Sequence, residues 1–132
     1  MINPSELRLG NIILYKTGTR IIPVPVDFSH FESMAKGDVA SFFPLLLKPE
    51  WFEKCGFIEN KKYALYPEAR EFVLVLPVQG NNKNEVYGYM KNNKECFARA
   101  TVNDLPVSGN VFNVHGLQNL YYGLTGKEMV IR

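Results

Sequence analysis

Cysteine, histidine and long apolar runs are scarce in this sequence, and each scarcity narrows the chemistry open to it. Cys55 and Cys96 are the two cysteines, and neither belongs to a CxxC or another ligand-spaced pair. A zinc ribbon and a disulfide framework are therefore not expected, and two free thiols in a reducing compartment are. The two histidines, His30 and His115, share no local motif. The ten glycines are scattered, without the G-x-G-x-x-G or P-loop spacing that cradles phosphate. No paired carboxylates stand out either, since Asp27, Asp38 and Asp104 sit where helix caps and turns are expected. No cofactor and no metal are expected from these residues.

The apolar run 42–47 is short and holds Pro44, and residues 1–9 lack a basic segment followed by an apolar one. A membrane span and a secretory leader are both unexpected, which favours the cytoplasm. Charge of one sign is lacking too. Fifteen Lys and Arg stand against thirteen Asp and Glu, a net of +2 with the signs interspersed. Dedicated nucleic-acid binders usually carry a basic stripe, because affinity follows the number of phosphates neutralised. Only Lys83, Lys91, Lys94 and Arg99 make a local basic group here.

What the chain does have is apolar and aromatic mass. Hydrophobic residues make up 46% and aromatics 13% of 132 residues, enough for one folded domain, 1–132, with its own core. Asn3, Pro4 and Glu6 suit the cap, N1 and N3 of an opening turn. Segments 12–16 and 20–26 are β-branched, and Thr17-Gly18-Thr19 supplies their hairpin turn. Pro23 and Pro25 remove ladder donors at alternate positions, so the second strand is expected at an edge. Asp27 is placed to cap a short helix presenting Phe28, Phe31 and Met34, with Gly37 as its stop. Pro49 at N1 and Gly56 at the end bracket a second helix that turns Trp51, Phe52 and Cys55 to the core.

Strands are expected at 62–66, 71–78, 85–91 and 94–102, with turn-rich loops between them, so a meander is the simplest topology. If Asn92-Asn93 forms a two-residue turn, Lys91 opposes Lys94, Tyr89 opposes Cys96, Tyr87 opposes Ala98, and Phe97 crosses Gly88. Large rings over small residues would then satisfy packing, and the tyrosines need no further role. Near the end, Val114, Leu117, Leu120, Tyr121 and Leu124 recur at helical spacing, Gly126 follows as a cap, and the apolar 129–131 reads as a closing strand.

His115, Asn119 and Tyr122 lie on the polar side of that last helix at i, i+4 and i+7, and form the candidate binding cluster. The simpler account is that His115 and Asn119 tie the helix to a loop by hydrogen bonds. Lys83, Lys91, Lys94 and Arg99 are the candidate nucleic-acid contacts, although hairpin lysines also serve solubility. Cys55, among Trp51, Phe52 and Phe57, reads as buried rather than nucleophilic.

Glu6-Leu7-Arg8-Leu9-Gly10-Asn11, the stretch from Trp51 to Phe57, and His115-Gly116-Leu117-Gln118-Asn119-Leu120-Tyr121 with Leu124-Thr125-Gly126 together resemble a family of small uncharacterised Bacteroidetes proteins. Members have an E-L-R-I-G-N opening and an H-x-L-Q-N-L-Y-x-x-L-T-G close, and many lie near prophage or mobile-element genes. The resemblance implies phage or mobile-element association but carries no activity. This chain departs at Pro44-Leu45-Leu46-Leu47-Lys48, where the family has P-I-P-L-T, and at Gly116, where the family usually has a larger residue. By analogy alone, the opening suggests the start of an SH3-like barrel.

The expectation is an α+β domain: an N-terminal hairpin, a short central helix, an antiparallel meander and a C-terminal helix packed on the sheet. Its expected role is that of a non-enzymatic interaction protein, with a protein partner favoured. The alternatives are weak nucleic-acid binding through the 83–99 hairpin and an enzyme with its site around His115.

Overall fold

Antiparallel pairing organises almost every strand of the chain, whose computed structural model describes residues 2–60, 69–77, 80–92 and 94–132. The expected strand at 62–66, and turn residues Pro67, Glu68, Gln79 and Asn93, lie outside them. The class is α+β, with a three-stranded and a five-stranded sheet.

The smaller sheet has the order β2-β1-β3, from β1 (Ile12–Thr17), β2 (Arg20–Pro25) and β3 (Phe42–Phe43). Thr17 opposes Arg20 across a tight turn in which Gly18 takes φ +62°, a value that favours glycine. β2 is an edge, and Pro23 and Pro25 sit on it where a missing N–H does least harm. Asp27 caps α1 (Phe28–Ala35) by accepting from the His30 N–H, while His30 Nδ1 accepts from the Asp27 N–H. Met34 and Phe31 pack with Ile13, Val26 and Phe42. Phe28 does not join them. It sits at the first position of the helix and is 72% exposed, because the sheet reaches only the face carrying Phe31 and Met34.

The larger sheet runs β4 (Ile58–Glu59), β5 (Arg70–Val75), β6 (Asn84–Lys91), β7 (Glu95–Val102) and β8 (Leu105–Pro106) in chain order, a meander. Its β6–β7 register differs by one residue from the expected one. Lys91 opposes Glu95, Met90 opposes Cys96, Tyr89 opposes Phe97 and Gly88 opposes Ala98. The connection spans three residues rather than two: Asn92 takes φ +52° and the Lys94 N–H donates to the Lys91 carbonyl. One extra loop residue moves each cross-strand partner by one position, so the tyrosines pair with Phe97 and Arg99 instead of Cys96 and Ala98.

The inner face of this sheet, with Phe72, Val86, Met90, Cys96 and Ala98, is covered by α2 (Pro49–Lys54) and α3 (Val114–Thr125). Gly88 lies there under Phe52. A β-carbon at Gly88 would come 2.4 Å from the Phe52 ring, so the two residues are matched in size. The α3 stripe is Val114 and Leu117, both wholly buried, with Leu120, Tyr121 and Leu124 packed at its margin. Gly126 closes the helix at φ +70°.

Residues 129–131 form no strand. Met129 and Ile131 pack against the core and the Arg132 N–H donates to the Lys54 carbonyl, so the tail is held by packing and one backbone hydrogen bond rather than by a ladder. Among the described residues no helix is long and apolar enough to cross a membrane.

Candidate functional site

The polar side of α3 meets the N-terminal turn, and all three residues of the expected cluster lie at that junction. Asn113 opens the helix by accepting from the Gly116 N–H at 2.8 Å. A β-carbon at Gly116 would stand 2.8 Å from that same amide oxygen and 3.3 Å from Val111. Glycine therefore preserves the cap, which offsets its poor helix propensity.

Asn119 makes three side-chain hydrogen bonds. Its Oδ1 accepts from Arg8 Nε at 2.8 Å and Asn11 Nδ2 at 3.0 Å, and its Nδ2 donates to the Glu6 carbonyl at 2.7 Å. Next to it, Gln118 Oε1 accepts from the Ile12 N–H at 2.7 Å, and its Nε2 donates to the Gly10 carbonyl at 3.3 Å. Asn11, almost wholly buried, also accepts from the Arg8 N–H. The Arg8 guanidinium lies 4.1 Å above the Tyr122 ring and donates to Glu128. Asn119 and Tyr122 thus hold the N-terminal segment in place, and buried amides are satisfied as burial demands.

These partners of the cluster, Glu6, Arg8, Asn11, Gln118 and Glu128, were absent from the expected site. The signal available in sequence was only that Glu6–Asn11 and His115–Tyr121 are two of the stretches that carry the motif resemblance. Nothing local says that they face each other across more than a hundred residues.

His115 is the cluster member with chemistry to spare. Its side chain is 4% exposed, Nε2 lies 3.8 Å from Glu6 Oε2, and Nδ1 has no hydrogen-bond partner among the described residues. Burial holds its pKa below the usual 6.5, against the pull of the Glu6 carboxylate. The imidazole is buried because the opening turn folds over the polar side of α3 that carries it. A cleft of about 470 Å³, open to solvent, is lined by His115, Glu6, Asn110, Val111, Phe112 and Asn119, among others. A neutral imidazole beside one carboxylate can exchange a proton. The described residues supply no nucleophile hydrogen-bonded to it and no group of three metal-ligating side chains.

The basic group is divided. Lys83 lies at the opposite end of β6 from Lys91, about 26 Å away at ~3.3 Å per residue. Its ammonium sits 3.3 Å from Glu85 and 3.4 Å from Asp104, and its hydrogen bond to Glu85, with the charges of both carboxylates, raises its pKa. Lys91 and Arg99 instead stand over rings, 5.2 Å from the centre of Phe97 and 5.4 Å from that of Tyr89. Lys94 is exposed at the hairpin end.

The register puts a row of aromatics on the outer face of the larger sheet. Tyr87 stacks on Tyr89 at 6.0 Å, Tyr89 meets Phe97 at 5.2 Å, and Phe97 meets Phe112 at 6.1 Å. Phe112, 42% exposed, ends the row and also lines the His115 cleft. Both thiols are free and buried, and burial pushes Cys55 up to about 11, as expected of a packing cysteine.

Comparison with known proteins adds no relative: no family model, no curated protein and no solved structure matches the chain.

Proposed function

We propose that this chain is a non-enzymatic interaction protein that binds a protein partner in the cytoplasm, in the phage or mobile-element setting its motif resemblance implies. The observation that carries the reading is the run of half-buried and exposed rings Tyr87, Tyr89 and Phe112, backed by the buried Phe97 and interleaved with Lys91 and Arg99. Aromatic and arginine side chains dominate binding energy at protein interfaces, because they bring large area at low entropic cost. The candidate cluster at His115, in contrast, has its amides and its arginine committed to joining the two ends of the chain.

Nucleic-acid binding is the second reading, favoured by the pairing of cations with rings at Lys91 and Arg99 and weakened by the neutralised Lys83. Recovery of bound molecules from cells of the source organism separates the two. The wild-type chain should retain a protein that Tyr87→Ser with Phe112→Ser releases. Retention of nucleic acid that falls steeply with salt would transfer the proposal to the second reading, and equal retention by the double variant would remove the aromatic row from it.

A further inference from the structure

Where the aromatic row ends, Phe112 forms one wall of a second groove of about 350 Å³, lined also by Leu46, Leu47, Lys48, Lys94, Glu95 and Cys96. Leu46 is 59% exposed, beside the deeply buried Leu47. The rim is basic. Lys48 and Lys94 are exposed on it, Lys91 stands nearby over Phe97, and Glu95 is the one carboxylate among the lining residues. The wall at Leu46 is extended backbone. Leu46 bridges Asn113, with the Leu47 N–H donating to the Phe112 carbonyl and the Val114 N–H to the Leu45 carbonyl. Alternation then points the N–H and C=O of Leu46 away from Asn113, and neither has a hydrogen-bond partner among the described residues.

From this geometry we infer that the groove takes an extended acidic segment of the partner, one apolar side chain seated between Leu46 and Phe112, its backbone paired with Leu46 and its carboxylates on Lys48 and Lys94. The inference rests on the interaction reading above and gives it a partner chemistry. The outward N–H and C=O of the bridged Leu46 supply main-chain hydrogen bonds, a flanking pocket supplies side-chain choice, and two lining lysines against one carboxylate supply the sign. A single-stranded nucleic acid would also satisfy the lysines and stack a base on Phe112, but it has no strand backbone to pair with Leu46.

A display library of short random peptides, selected against the full chain at physiological salt, tests it. The expected result is enrichment of an apolar residue flanked by Asp or Glu, with the Leu46 amide becoming protected from exchange when a selected peptide is bound. Lys48→Glu with Lys94→Glu should weaken such a peptide about tenfold or more and shift selection toward Lys and Arg. Leu46→Ser should weaken it comparably, each variant first showing a wild-type amide spectrum. Selection without acidic bias, binding indifferent to these substitutions, or an oligothymidylate that displaces the peptide would each overturn the proposal. Partner retention that depends on Tyr87 and Phe112, together with a failed peptide selection, would defeat the groove chemistry alone and leave the interaction reading intact.

Discussion

Single residues decide several features of this fold, and Gly88 is the sharpest case. Its missing β-carbon is the space occupied by the Phe52 ring. Gly88→Ala should therefore destabilise the chain by about 1 to 3 kcal/mol through overpacking, and Phe52→Leu in the same chain should recover part of the loss, as denaturant melts will show. His115 gives a pH-dependent prediction. Because its folded pKa lies below 6.5, the unfolded chain binds the proton more readily. Its contribution is whole above pH 6.5 and is lost as pH falls through the folded value, with a slope of at most about 1.4 kcal/mol per pH unit. Glu6 faces the same ring and limits the loss. Melts between pH 7 and pH 5 should show a steeper decline for the wild type than for His115→Gln; parallel declines would mean that His115 is not the group responsible.

At the scale of elements, α3 is the part the rest cannot do without. An isolated helix of its length is marginal in water, so its apolar stripe has to be buried on the sheet. Leu117 is wholly buried and Leu124 only partly so. Leu117→Ala should cost about 2 to 5 kcal/mol and Leu124→Ala less, a ranking that equilibrium unfolding of the two variants can check. Asn113→Ala removes the cap of α3 and should cost about 0.5 to 2 kcal/mol. A chain ending at Ser108 that unfolds cooperatively at the wild-type midpoint would show α3 to be an appendage.

Across the whole molecule, one network joins the smaller sheet to α3. Gln118 satisfies the Ile12 N–H and the Gly10 carbonyl, and Asn119 binds Arg8, Asn11 and Glu6 at once. Ile12, on β1, meanwhile packs against the cluster under the larger sheet. Gln118→Leu should leave both backbone groups without partners and cost about 1 to 3 kcal/mol. If the network also transmits cooperativity, the loss should appear equally in tryptophan fluorescence, which reports Trp51 in the larger cluster, and in amide exchange of β1.

Legibility followed the range of the physics. The hairpin turn at Gly18, the cap at Asp27, the helix begun by Pro49 and the stripe of α3 were readable because each depends on residues a few positions apart. The edge position of β2 was readable for the same reason, since Pro23 and Pro25 carry their constraint within themselves. The β6–β7 register was not, because it turns on whether the connection holds two residues or three, and Asn92-Asn93 favours a turn without fixing its length. The burial of His115 was not either, since a polar helix face is the same sequence whether it meets solvent or the chain's own N-terminal turn. By itself the sequence determined the first hairpin, the three helices and their caps, though neither the exposure of Phe28 nor the irregular form of residues 129–131. Only tertiary structure decided which polar motifs meet, because that choice rests on hydrogen bonds between residues far apart in the chain, satisfied only once both segments have packed.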